Sequence, residues 1–368
     1  MTHKVLQYKI LVVLVAVSAS FLLAEVGLRL FAPNFMFPHA GLRFSPRYHH
    51  ASQEFSKQLK LIRDNPQIFK GDITVVILGD SFVVGAEVEA PLSFTSLMQS
   101  YYDSSPGPRI KIINLGYSSY STMIYERLYR DVVLPLDPDV VIVCLDQTDV
   151  ADDYSYEQEL SSMAGAAGAT VSNADFEGTI LKNYESHPVQ FFLLRHSQLF
   201  LLTNAVKKRL TGKGFIPENS DADARNAKKG ELYLETCRNP APYKTLFDNS
   251  EKYIRAMSMM KPARQKLYFV TYPRAENLAG QRKTTLLRGA LPDSYSSIPF
   301  FEYWIKKENL AARYPNAAFV HTSEHFRSAI ASTGLQYYFY DNDVHWNELG
   351  HRLFAQICER KILNNDTR

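Results

Sequence analysis

Three short runs of β-branched and aliphatic residues, at 73–78, 110–115 and 140–145, each break off into small or polar residues, and two more follow at 266–272 and 317–322. Apolar runs of that length, without polar alternation, mark strands buried on both faces. Helix-compatible stretches lie between the first three, at about 93–102 and 122–133, so strand and helix alternate as they do when crossovers join parallel neighbours. Further helices are expected at about 250–260, leading into the fourth strand, and at 348–363, closing the chain. The expected fold is α/β: a three-layer α/β/α sandwich built on a five-stranded parallel sheet.

That domain occupies residues 72–363 of a 368-residue chain, whose length allows one large domain with insertions or two modest ones. The insertion falls at about 151–265, too long for a single crossover. Its small residues at 161–169 read as a mobile loop, because ordering them costs much chain entropy. Residues 189–210 have helical spacing and are rich in Phe and Leu, but Arg195, His196, Ser197 and Gln198 interrupt them, which favours a cap helix over a membrane span. Residues 32–71 lack sustained periodicity and read as a lead-in segment.

Residues 1–31 place Lys4 and Lys9 before an uncharged apolar run at 10–24. Two readings fit. One is a retained single-pass anchor, with Glu25 and Arg29 snorkelling to the interface; the other is a signal peptide cleaved near the small residues at 17–20. Both put the bulk of the chain outside the cytoplasm. In a bacterium that means a periplasmic or extracellular domain on the inner membrane, or a secreted one.

Lys and Arg number 41 against 38 Asp and Glu, and a net charge of +3 supplies no basic field for a phosphate backbone, so nucleic acid is not an expected partner. Cys144, Cys237 and Cys358 are too few for a disulfide scaffold or a four-ligand zinc site, though Cys237 and Cys358 could form one pair in an oxidising compartment. No metal is expected. Asp146, Asp149, Asp152 and Asp153 lack the spacing of a calcium loop and read as a solvated, helix-capping turn. His321 and His325 have the four-residue spacing of a metal pair, but a threonine follows His321 where the H-E-x-x-H pattern has glutamate.

The first strand ends in Leu78-Gly79-Asp80-Ser81-Phe82. A serine just past the carboxyl end of a parallel strand lies where open α/β sheets keep their ligand crevice. Its hydroxyl is a weak nucleophile at neutral pH and needs a base with a pKa near 7, which is histidine. His345 is the candidate, in Asp343-Val344-His345-Trp346-Asn347. Asp343 stands two residues before it, able to fix the imidazole's tautomer and orientation.

These blocks resemble the SGNH or GDSL hydrolase superfamily, of the membrane-anchored bacterial esterase or O-acyltransferase type. Gly79-Asp80-Ser81 matches the family's first block, with Ser81 as nucleophile. Asn114-Leu115-Gly116-Tyr117 matches the second, whose glycine N–H implies an oxyanion donor beside that of Ser81. Asp343-Val344-His345 matches the last. The resemblance covers about 70–150 and 262–363 and implies the flavodoxin-like strand arrangement of that family, an acyl-enzyme and no cofactor. It further implies an acylated carbohydrate or other ester as substrate, with removal or transfer of O-acetyl groups on cell-surface polysaccharide, and a membrane-bound acyl-transfer or polysaccharide-assembly partner.

The third block departs from the family. Where its asparagine donates to the oxyanion, this chain has Thr148 in Asp146-Gln147-Thr148-Asp149, with Gln147 as a possible substitute. The same departure motivates a second reading, a non-catalytic glycan-binding or polysaccharide-assembly protein on a decayed site. Asp80, Tyr117 and Trp346 are the candidate substrate contacts, with Tyr120 beside them. Cys144, inside a buried strand, is expected to be inert.

Overall fold

The computed structural model describes residues 19–27, 55, 57–164, 199, 203, 207, 220–278, 296–339 and 345–363. The chain divides into two compact units, one of Met1–Pro46 with Thr170–Asp223 and one of Arg47–Ala169 with Ala224–Arg368. In the first, residues 19–27 are helical, Phe21, Leu22 and Leu23 are exposed, and Glu25 accepts a hydrogen bond from the Leu199 N–H at 2.9 Å. Much of the apolar run at 10–24 and nearly all of the expected cap helix at 189–210 lie outside the described residues. Among the described residues no helix is long and apolar enough to cross a membrane.

The second unit holds the sheet. Strands β1 (Ile73–Gly79), β2 (Ile110–Gly116), β3 (Val140–Leu145), β4 (Lys266–Thr271) and β5 (Ala318–His321) are all parallel and run in the order β2-β1-β3-β4-β5. The five expected strands therefore form, each within about a residue of its expected ends. Because the sequence of strands moves outward from β1 to β2 and then back across to β3, the switch point lies between β1 and β3. Ligands of doubly wound sheets bind there, beyond the carboxyl ends of the strands.

The helices that frame the sheet and its crevice are, among the described residues, α1 (Ser81–Val84), α2 (Phe94–Ser104), α3 (Thr122–Leu128), α4 (Asp149–Ala164), α5 (Ser220–Arg238), α6 (Lys244–Met260), α7 (Phe300–Lys307), α8 (Ser323–Thr333) and α9 (Glu348–Cys358). Successive strand residues point to opposite faces. Val75, Ile77, Ile142 and Val270 join Phe94, Trp346 and Phe354 in the core under α2 and α9. Their alternates Val76, Leu78, Val141, Val143 and Phe269 are equally buried and face the other way, where α6 packs on α3 and α4. Burying each such side chain is worth roughly 1.5–3 kcal/mol, which is why the strands lack polar alternation. Caps fix the helix starts that matter: Ser93 accepts from the Ser96 N–H at α2, and Asn347 from the Leu349 and Gly350 N–H groups at α9.

One expectation is corrected here, and two open points are filled in. Helix α4 continues through residues 161–164, expected to be loop, and residues 165–169 lie outside the described residues. The lead-in segment contains a helix at 57–64, and Phe55 packs its ring 4.9 Å from that of Tyr117. Cys237 and Cys358 are both free and fully buried: Cys358 belongs to the core with Cys144, whereas Cys237 lies beside Tyr233 and Glu276.

Candidate active site

The short helix α1 places the nucleophile candidate at the end of β1. Asp80 caps it, accepting from the Phe82 N–H at 3.0 Å and from the Tyr272 hydroxyl at 2.9 Å, so the turn carrying Ser81 is tied to the end of β4. His345 arrives from the opposite side, just ahead of α9. Its Nε2 lies 2.7 Å from the Ser81 Oγ, although 264 positions separate the two residues. Phe82 lies under the imidazole with ring centroids 4.8 Å apart, and Trp346 packs on Phe82 at 4.9 Å. The base is thus held on an aromatic stack, with only 8% of its surface exposed. Asp343 lies outside the described residues.

On the other edge of the imidazole, the Glu87 Oε1 lies 3.4 Å from Nδ1, and that carboxylate is 2% exposed. Sequence reading did not single out Glu87. It stands in the turn after α1, in Gly85-Ala86-Glu87-Val88, a run with no catalytic signature of its own.

The expected oxyanion donors are differently placed. The Ser81 N–H has no protein acceptor among the described residues, as the role requires. The Gly116 N–H instead donates to Oδ1 of Asn114 at 2.8 Å. A glycine is needed there for a steric reason: a Cβ would lie 2.6 Å from a methyl carbon of Val83, so a side chain would push α1 off β2. Thr148 is also committed, since both its N–H and its hydroxyl donate to Oδ2 of Asp146. The amide of Gln147 is 2% exposed, and among the described residues neither its oxygen nor its nitrogen has a partner. Leaving such a group buried and unsatisfied costs roughly 1–3 kcal/mol.

The acidic turn is the largest departure from expectation. Asp146, Asp149, Asp152 and Asp153 are buried, not solvated. Asp146 pairs with Arg274 through two guanidinium nitrogens, Nε at 2.9 Å and Nη2 at 2.5 Å, in a site where the arginine is only 5% exposed. Arg274 also lies over the rings of Phe82 and Tyr233, 5.1 and 5.2 Å from the centroids. Asp149 accepts from the Asp146 N–H and the Tyr125 hydroxyl. Asp153 accepts from Thr122, the Met123 N–H and Ser250, which ties α3 and α6 to α4.

Asp80, Asp146 and Asp149 bring their oxygens within 4.8 Å of one another. That donor set resembles a cation site, but the positive charge beside it is already supplied by Arg274. The electrostatic surroundings of the three carboxyls agree. Burial, then the charge of Asp146, lifts the carboxyl of Asp80 from 3.8 to about 8. Burial and the neighbouring carboxylates raise Asp149 well above its ordinary range. Burial would raise Asp146 as well, but the Arg274 charge and hydrogen bonds outweigh it and hold this group low. The Arg274 charge thus favours the ionised form of Asp146, while burial and the neighbouring carboxylates favour the protonated forms of Asp80 and Asp149.

The remaining site candidates sort by burial. Trp346 is fully buried among Phe82, Tyr272, Phe326 and Phe354, so it supports the imidazole from the core and does not line the crevice. Asp80 accepts from the Phe82 N–H and the Tyr272 hydroxyl and so serves as a cap, not as a substrate contact. Tyr117 is half-buried and packs with Phe55 and Tyr120 on the loop after β2. His321 bonds through Nδ1 to the Thr271 hydroxyl at 2.8 Å, and His325 lies on α8 beside a cleft lined by Arg360 and Lys361. His351 accepts from the Phe94 N–H, and burial drops its pKa to about 3, so it remains neutral beneath the site.

No protein-family model matches the chain, and no curated protein matches it. Among solved structures, a two-domain esterase active on acetylated mannans is 12% identical with a TM-score of 0.37. The match covers 84% of this chain and 54% of that one, so the chain spans about half the length of that protein. A catalytic mutant of an acetylxylan esterase from Geobacillus stearothermophilus is 13% identical over 78% of this chain and 93% of that one, with a TM-score of 0.40. The acetyl xylan esterase AlAXEase is 15% identical over 79% and 100%, with a TM-score of 0.37. Likenesses of this strength assign neither activity nor substrate to this chain.

Proposed function

We propose that the protein is a serine esterase acting through an acyl-enzyme. The observation that carries this reading is the 2.7 Å contact between Ser81 Oγ and His345 Nε2 at the switch point of the sheet. In the proposed reaction His345 takes the hydroxyl proton as Ser81 attacks an ester carbonyl, then returns it to the departing alcohol. Water repeats the sequence to release the acid. Asp343 is the sequence candidate for orienting the imidazole. The oxyanion is received by the Ser81 N–H and, in place of the committed Gly116 and Thr148, by the amide of Gln147. Support for Gln147 is its unpartnered buried amide and its place in the chain just past the end of β3, the strand beside β1.

The substrate reading is narrower and follows from the resemblance of the sequence blocks: O-acetyl esters on extracytoplasmic polysaccharide, removed by water or passed to a sugar hydroxyl. Transferase and hydrolase share the acyl-enzyme and differ in which acceptor opens it. Supplying an acetyl donor with and without an oligosaccharide acceptor, and weighing the products, separates them. A non-catalytic glycan-binding protein is the competing class, favoured by the engaged Gly116 and Thr148. It predicts that a fluorophosphonate leaves the folded protein unlabelled.

A further inference from the structure

We propose that Glu87 is a positioning residue for His345, a carboxylate that faces Nδ1 of the imidazole and stabilises its protonated form. The inference rests on the esterase reading above but begins from an independent contact, the 3.4 Å between Glu87 Oε1 and His345 Nδ1. A carboxylate with 2% exposure is poorly solvated, and a cation facing it offsets much of the cost of burying it. When His345 accepts the Ser81 proton, an imidazolium forms at that distance, so a negative charge faces the ring at the step where its positive charge appears.

The backbone explains how Glu87 reaches this position. Helix α1 ends at Gly85, whose φ of +66° lies in the left-handed region that favours glycine. A Cβ there would also meet the Ser93 Cβ at 3.0 Å and the His351 ring at 3.3 Å. The chain therefore reverses within two residues of α1 and returns toward the imidazole. Nucleophile and carboxylate are carried on one turn, at positions 81 and 87, gripping opposite nitrogens of the same ring. Asp343, by sequence, is a candidate for the same Nδ1 edge, so the test must separate the two carboxylates.

The test compares the full-length protein with Glu87→Gln, Glu87→Asp, Asp343→Asn and the double Glu87→Gln/Asp343→Asn variant. Turnover of a chromogenic acetate ester and the His345 titration, followed by NMR of labelled imidazole, are the two readouts. A nearby carboxylate favours the charged imidazole, so its removal lowers the imidazole pKa. Asp80 and His351 also interact with this ring electrostatically and are left unchanged in every variant. The expected result for Glu87→Gln is a downward shift of the imidazole titration and a fall in kcat of about tenfold or more, with KM within about twofold. Glu87→Asp is expected to retain part of both. The double variant should depart from the product of the single effects, as coupled neighbours do.

An unshifted imidazole in folded Glu87→Gln overturns the proposal, as does a kcat within about twofold of wild type while Asp343→Asn is inactive. A wild-type protein inert toward every ester, whose imidazole nevertheless shifts in Glu87→Gln, overturns the esterase reading and supports the contact. The two failures are therefore distinguishable.

Discussion

The two rims of the crevice are built from the same kind of material and end up in opposite conditions. On the β1 rim, Ser81 and His345 face each other at hydrogen-bond distance, and the Ser81 N–H is not consumed by the turn that presents it. On the second rim, made by the ends of β2 and β3 on either side of β1, Gly116 donates to Asn114 and Thr148 donates to Asp146. A donor at the right place in the chain is available to a substrate only if its own neighbours leave it unsatisfied. Here the second rim uses its polar groups to hold itself together, with Arg274 closing the network, and leaves the Gln147 amide as its uncommitted group.

Removing the chemistry of the first rim should have the largest effect. Ser81→Ala and His345→Gln are each expected to lower ester turnover by roughly 10⁴-fold or more. Melting temperatures should stay close to wild type, because neither side chain carries the core. Equal turnover in either variant would break the contrast between the rims.

The second rim should respond in stability. Arg274→Met leaves Asp146 charged and buried without its partner, a change that typically costs about 3–5 kcal/mol. Urea unfolding should show it as a lower midpoint, and an unchanged midpoint would mean that the network does not hold the rim.

A finer cut falls within that rim. Gln147→Ala is expected to lower kcat by about 10²-fold, the usual cost of one oxyanion donor. Thr148→Val, which removes a hydroxyl already given to Asp146, should lower stability by about 1–3 kcal/mol and leave kcat within a few fold. The reverse pattern, with Thr148 governing kcat and Gln147 silent, would return the oxyanion role to the position the family assigns it.

A pH dependence of stability is also expected. Asp80 keeps its proton in the folded protein up to about pH 8, whereas the unfolded chain loses it near its ordinary 3.8. Between those values the folded state binds more protons, so stability falls as pH rises. Asp149 acts in the same direction and Asp146, held low, in the opposite one. Asp80→Asn should flatten the decline across that window, and a decline of wild-type steepness in that variant would contradict the assignment.

The sheet was legible because its strands are continuous apolar runs with no competing pattern, and Ser81 and His345 were legible because each stands in a chemically distinctive block. The rest depended on partners remote in sequence. Asp146 through Asp153 look like a solvated turn because acidic runs usually are, and nothing local reveals that Arg274, 128 positions later, neutralises one of them inside the protein. Trp346 sits beside the base in the chain, yet the backbone at α9 turns it into the core. Glu87 carries no signal at all, since an acid in a Gly-Ala-Glu-Val turn is ordinary until its distance to His345 is known.

Whether Ser81 is a working nucleophile is tested most directly by intact-mass analysis after incubation with a fluorophosphonate. The expected result is a single phosphonyl adduct on folded wild-type protein, mapped to the peptide containing Ser81 and missing from Ser81→Ala. An unmodified mass under conditions that label a known serine esterase, or an adduct that persists in Ser81→Ala, would contradict it.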